Sequence, residues 1–176
     1  RIIRERLEDF PEGERPFVLL GRLYAEQTRM LYLKRQLLHG ERRSARDSDR
    51  PGQVRAIDDQ MAALGPRVRA SQREYLDAFS RAIMQDPEAA APRLELAEHA
   101  LRTYVSRPDR AKIALEPLVG RSPPDYDAVH LLALAEWEAG ELPEALARMR
   151  TVIARDPKDF AARQAEAEIL FDMGRH

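Results

Sequence analysis

The chain has 176 residues, a net charge of −1, and 44% hydrophobic, 34% charged and 6% aromatic residues. This composition is typical of a helical globular domain, and the near-zero charge gives no overall attraction to nucleic acid or anionic lipid. Cysteine is absent, which excludes disulfides, thiol nucleophiles and cysteine-ligated zinc, while cytoplasm and periplasm both stay open. No apolar run is long enough for a membrane span.

The N-terminal segments carry helical patterns. Residues 1–10 place apolar side chains on one face, and Pro11 cannot continue that helix. From Phe17, apolar residues recur at helical spacing to about His39. This pattern predicts a helix of roughly 24 residues.

The next stretch, residues 40–52, is charged and contains Ser, Pro and Gly, which predicts a loop. After it, apolar residues at alternating steps of three and four form a coiled-coil-like seam over residues 54–68, which continues with Ser71 as its polar member. Gly65-Pro66 interrupts the seam, so we expect two helices, or one helix kinked there.

The C-terminal half is divided at regular intervals. Pro123 and Pro157 lie 34 residues apart (157 − 123 = 34), and Gly140 separates two helical patterns between them. Such a period is the mark of stacked helix–turn–helix units. The predicted helices of this half are Leu94–Tyr104, Ala111–Leu118, Ala128–Ala139, Leu142–Ala154 and Phe160–Met173. No segment alternates with period two, so no sheet is predicted.

Residues 126–159 resemble the tetratricopeptide repeat (TPR) family. The positions that carry the resemblance are Leu132-Ala133, Gly140, Ala145 and Pro157, with Trp137 at a usual aromatic site. In that family, small residues let paired helices cross closely, and a proline closes the second helix. The resemblance implies an all-α fold, in which helix–turn–helix repeats stack as a right-handed α-solenoid.

The resemblance also implies a division of the chain, which is interpreted as one helical-repeat domain and a fragment of a longer array. Its predicted parts are the second helix of a truncated repeat at 1–10, a repeat at 14–87, a repeat at 91–124, the best-matching repeat at 126–159, and the first helix of a truncated repeat at 160–174. The repeat at 14–87 is too long for one unit. We therefore expect an extended helical hairpin at about 28–70, as an insertion or a degenerate repeat.

No pattern predicts an active site, a metal site or a cofactor. The glycines never cluster before a helix as in a phosphate loop, and no serine lies in a nucleophile elbow. The four histidines are His39, His99, His130 and His176, and no pair has the spacing of metal ligands. We therefore expect a chain that is not an enzyme.

The expected function is a protein–protein interaction scaffold, which binds another protein or a peptide through a concave groove or through the hairpin. In the TPR family, the first helix of each pair lines the groove. The resemblance therefore implies these groove residues: Arg22, Glu26, His99, Arg102, His130, Leu134, Glu138, Gln164, Glu168 and Asp172. Trp137 is expected to pack between helices instead. Because the chain has no Asn, the family's clamp for a peptide carboxylate is not expected.

Two alternatives stay open. The first is nucleic-acid or anion binding by the arginines of the predicted loop, 41–55, which are Arg42, Arg43, Arg46, Arg50 and Arg55. Nearby acids and the lack of a stacking aromatic favour a solvated loop instead. The second is a homo-oligomer, in which the 54–68 seam pairs between two copies and does not fold back on residues 15–39.

Overall fold

A computed structural model describes residues 16–102 and 105–174, and the all-α prediction is confirmed there. The predicted helix at 1–10 and Pro11 lie outside these residues. The seven helices of the described part are α1 (Pro16–Asp47), α2 (Pro51–Gln85), α3 (Ala91–Ala100), α4 (Pro108–Val119), α5 (Tyr126–Glu138), α6 (Leu142–Arg155) and α7 (Phe160–Asp172). They fall into two units, which divide between Asp86 and Pro87.

The described part of unit 1 is a long helical hairpin of α1 and α2. Leu31, Leu38 and Ala45 follow one another at steps of seven on α1, and they form one buried cluster with Ile57 and Leu64 of α2. A step of seven returns to nearly the same side of a helix, so this inner seam runs along the hairpin. The predicted seam of α2 thus packs on α1 within the chain. Pairing of the seam between two copies, the second alternative, stays a prediction.

The predicted loop at 40–52 is also wrong. α1 continues to Asp47, and α2 begins at Pro51. The Asp49 backbone takes a φ of 51°, and the Arg50 N–H donates to the Ala45 carbonyl at 3.0 Å. This is a Schellman ending with Asp in the left-handed position. The helix extends this far because Ala45 still packs on α2.

The Gly65-Pro66 step does not divide α2, which is one helix with Pro66 inside it. A proline removes one backbone donor and weakens a helix locally. Leu64 is buried against α1 next to this step, so tertiary packing offsets the loss. Of the two predicted arrangements, the structure has the single helix.

The hairpin also contains one polar layer. Thr28 Oγ1 donates to Ser71 Oγ at 2.8 Å, and Ser71 Oγ donates to the Tyr24 carbonyl at 2.9 Å. Both hydroxyl side chains are buried, so a slipped register would leave them without these partners. A satisfied polar layer of this kind favours one register of paired helices.

The described residues of unit 2 form five helices, each packed on the next along the chain. Ala133, Ala145 and Ala162 are fully buried where helices cross, and they pack around Met149 and Ile169. Small side chains allow this close approach, as the resemblance implies. The predicted helices of this unit are confirmed apart from their ends. α3 stops at Ala100 and does not reach the predicted end.

Candidate functional site

The strongest candidate site in the described residues is a concavity between α5 and α7. α5 contacts its neighbours α4 and α6, and it also contacts α3 and α7. The predicted first helices of consecutive pairs, α3, α5 and α7, therefore lie side by side, as the resemblance implies for a groove. The concavity has a volume of about 440 Å³, and its lining residues are Trp137, Gln164, Ala167, Glu168, Phe171 and Asp172.

Two hydrogen bonds fix the polar groups of this concavity. The Trp137 indole Nε1–H donates to Asp172 Oδ2 at 2.7 Å, so the bond joins α5 to α7. On α7, the Gln164 amide donates to Glu168 Oε1 at 2.9 Å. Residues four apart on a helix lie on one face, and Gln164, Glu168 and Asp172 follow this spacing. The carboxylate oxygens are therefore held in place before any ligand arrives.

The concavity combines apolar surface with negative charge. The Phe171 side chain is 69% exposed, and Trp137 offers part of its ring while it also packs against the core of unit 2. The lining contains two carboxylates and no Lys or Arg. Glu138 follows Trp137 in the chain, and partial desolvation raises the pKa of its carboxyl. This environment suits a cation with an apolar stem.

The other predicted groove residues do not line this concavity. His130 and Leu134 are half-buried on α5, and Leu134 packs against the core. His99 is half-buried in the last turn of α3. Arg102 is exposed in the turn after that helix, because α3 ends at Ala100, so its predicted place on a groove helix is wrong. Arg22 and Glu26 are exposed on α1, in unit 1.

Sequence reasoning missed Phe171 and assigned Trp137 to packing alone. Trp137 does pack against the core, but it also contributes to the concavity. The spacing of Phe171 from Gln164 and Glu168, at seven and three residues, was the available signal. An aromatic residue on the face of those polar groups indicates a mixed apolar and polar surface.

The arginines near the hairpin turn are on helices and in a short turn, which corrects their assignment to a long loop. Arg42 Nε donates to Asp58 Oδ1 of α2 at 2.6 Å, so this residue joins the two helices. Arg43 is exposed. Arg46, Arg50 and Arg55 share a concavity of about 280 Å³ with an acidic residue; its full lining is Arg46, Asp49, Arg50, Pro51, Val54 and Arg55.

Within residues 16–102 and 105–174, no three His, Asp or Glu side chains are grouped so that they could hold a metal ion. In the same part of the chain, no helix combines the length and apolar character that a membrane crossing requires.

Comparison with known proteins finds a similar fold among the solved structures. No protein-family model matches the sequence, and no curated protein matches it. A crystal structure of a tetratricopeptide repeat protein from Parabacteroides merdae ATCC 43184 is similar over 98% of this chain, with a TM-score of 0.51 and 16% sequence identity. The chain spans 65% of the length of that protein. The chain therefore has a TPR-like helical fold.

Proposed function

We propose that unit 2 binds an extended segment of a partner protein along its first helices, and that the concavity at Trp137 holds one basic side chain of that segment. The observation that carries this proposal is the pairing of exposed ring surface with fixed carboxylates, Glu168 and Asp172, and no cation in the lining. The TPR-like fold supports the scaffold role, since helical repeats of this type are typically non-catalytic.

The chemistry favours Arg or Lys over an acidic or purely apolar side chain. A cation over an indole gains roughly 0.5–2 kcal/mol, depending on how far it is desolvated. Glu168 and Asp172 would accept hydrogen bonds from the same group. An acidic side chain would instead meet two like charges. Arg is the better fit, because its planar guanidinium stacks on a ring and also donates to carboxylates.

Trp137 is the only tryptophan of the chain, so its fluorescence reports directly on this site. We would titrate the chain with two extended peptides of equal length, one containing Arg and one containing Glu at the same position. The Arg peptide should change the emission of Trp137 and bind more weakly in high salt. The Glu peptide should have no effect.

Variants separate the site from general charge attraction. Glu168→Gln should weaken binding of the Arg peptide by roughly tenfold, which is about 1.4 kcal/mol. Glu144→Gln is a matched control, because Glu144 is an exposed acid on α6 outside the concavity. Equal losses in both variants, or equal binding of both peptides, would refute the proposal.

Anion or nucleic-acid binding has one supporting observation, the shared concavity of Arg46, Arg50 and Arg55. Asp49 lies in the same concavity, and no aromatic side chain lines it. The test is the affinity for single-stranded DNA at two salt concentrations, with and without Arg43→Ala and Arg46→Ala. Absence of salt-dependent binding would exclude this second candidate.

A further inference from the structure

α1 carries a second apolar stripe, which α2 does not cover. Its residues are Leu23, Met30, Leu33 and Leu37, exposed by 47%, 59%, 44% and 70%. The steps between them are seven, three and four residues, so they lie on one side of the helix. The stripe extends over about 21 Å, from the rise of 1.5 Å per residue. We call it the outer stripe.

The outer stripe is distinct from the inner seam. Met30 precedes Leu31, and Leu37 precedes Leu38, where Leu31 and Leu38 are the buried residues that pack on α2. Consecutive residues of a helix are about 100° apart. α1 therefore has two apolar faces side by side, which is the arrangement of a helix that packs against two neighbours. Among the described residues of the hairpin, α2 packs on one of these two faces.

Charged residues along the outer stripe are mainly basic. Arg22 and Arg29 immediately precede Leu23 and Met30, and Arg43 continues the same series after two further heptads; all three arginines are exposed. The opposite flank repeats at Gln27, Lys34 and Glu41. Glu26, on the stripe itself, pairs with Arg29 at 3.0 Å. On and beside the outer stripe, α1 thus has four basic and two acidic side chains.

This charge pattern decides which helix fits. Flanking charges set partner choice when helices pair through an apolar stripe. A second copy in antiparallel pairing would bring the arginine flank against itself, because a two-fold interface opposes the same patch on both copies. A second copy in parallel pairing would bring Arg29 against Lys34. An amphipathic helix with acidic flanks meets neither repulsion.

We propose that the outer stripe of α1 docks an amphipathic helix of another protein, whose apolar face covers Leu23, Met30, Leu33 and Leu37 and whose acidic flanks face the arginines. The hairpin thereby gains the third helix that its two-faced α1 can accommodate. This surface belongs to unit 1, whereas the concavity at Trp137 belongs to unit 2. Its partner differs in conformation and in charge from a basic extended peptide.

The test uses two synthetic helical peptides of about three heptads with the same leucine stripe, one flanked by Glu and one by Lys. Like charges on both flanks keep each peptide from pairing with itself. Fluorescence anisotropy of the labelled peptides, titrated with the whole chain, gives the affinities. The Glu peptide should bind at least about tenfold tighter than the Lys peptide, and this preference should shrink between about 0.05 M and about 0.5 M NaCl.

Substitutions on the stripe identify the surface. Leu37→Gln and Met30→Gln change exposed side chains, so the hairpin should fold as before while affinity for the Glu peptide falls by about tenfold or more. Met84→Gln is the matched control, because Met84 is 78% exposed on α2, outside the stripe. No binding of the Glu peptide, or equal loss in the Met84 variant, would overturn the proposal. A dimer in light scattering that Leu37→Gln abolishes would also overturn it, because the stripe would then bind a second copy.

Discussion

Two glycines of α1 should respond differently to the same substitution: one variant should gain stability and the other should not. Gly21 lies against the fully buried Phe79, and a Cβ built at Gly21 would lie 2.8 Å from the nearest ring atom. Gly40 is in the same helix, and a Cβ there would meet nothing within 4 Å. The exchange of Gly for Ala at these two positions therefore separates intrinsic helix propensity from packing.

The magnitudes follow from these two surroundings. Ala is favoured over Gly in a helix by about 1 kcal/mol, and this gain applies at both positions. At Gly21 the added methyl must displace a ring that also packs edge-on against Tyr75, with centroids 6.4 Å apart. Overpacking of this kind costs about 1–3 kcal/mol. Gly40→Ala should stabilise by about 1 kcal/mol, whereas Gly21→Ala should be neutral or destabilise by as much as about 2 kcal/mol.

Urea unfolding followed by far-UV circular dichroism measures the free energy of unfolding of the three proteins. Emission of Trp137, which belongs to unit 2, should follow the same transition in Gly40→Ala and wild type if the chain unfolds as one cooperative system. In a Phe79→Leu background the ring is gone, so Gly21→Ala should recover the propensity gain. The reasoning fails if Gly21→Ala stabilises the wild type as much as Gly40→Ala does.

Three further predictions test unit 2. Ala145→Arg forces a charge into a fully buried position and should lower the free energy of unfolding by at least about 3 kcal/mol. Ala147→Arg, on the exposed side of α6, should be nearly neutral. Unchanged melting of the Ala145 variant would contradict the repeat packing. Arg148 Nε donates to Oε1 of the buried Glu136 at 2.7 Å. Arg148→Ala removes this partner and should lower the free energy of unfolding, measured by thermal or urea unfolding, by about 3 kcal/mol. Arg150→Ala, at a more exposed ion pair, should lower it by less than about 1 kcal/mol. The hydrogen bond from Arg107 lowers the pKa of Asp109 below its ordinary value of 3.8. The ionised Asp109 therefore stabilises the folded chain fully above pH 3.8, and this stabilisation is lost as the pH falls through the lowered pKa. Asp109→Asn should therefore cost at most about 0.5 kcal/mol at neutral pH, and urea unfolding should show this difference disappearing in acid; a difference that persists there would refute the ion pair as its cause.

The last three helices, α5, α6 and α7, could be predicted to within two residues because their ends depend on local chemistry. Asp125 caps α5 by accepting from the backbone N–H of Asp127 and Ala128, and Asp159 caps α7 in the same way at Ala162. Gly140 ends α5 with a φ of 82°. Such residues act within a few positions of themselves, so the sequence around each end is sufficient to predict it.

The end of α1 could not be predicted from local composition. Gly40 and the charged residues after it are typical of a loop, but a glycine costs only about 1 kcal/mol in a helix. Contacts with α2 outweigh this cost, as at Ala45, and those contacts depend on residues far along the chain. The heptad step from Leu38 to Ala45 was the one signal of continuing helix.

The candidate site was predictable only in part for a related reason. The resemblance implied that Gln164, Glu168 and Asp172 line the groove, and their spacing assigns them to one face of a helix. Periodicity cannot show which exposed residue of a neighbouring helix lies opposite. The hydrogen bond from Trp137 to Asp172 crosses from α5 to α7, and it follows from packing alone.

The near-zero net charge is the sum of two parts of the chain with opposite net charge. Residues 1–80 have 16 Lys and Arg against 13 Asp and Glu, whereas residues 81–176 have 13 against 17 (16 − 13 = +3; 13 − 17 = −4). The outer stripe lies in the part with excess positive charge, and the concavity at Trp137 lies in the part with excess negative charge. A partner that satisfies one surface is repelled electrostatically by the other, which is how charge contributes specificity in binding. If both proposals hold, a basic extended peptide should bind through unit 2 and an acidic helix through unit 1.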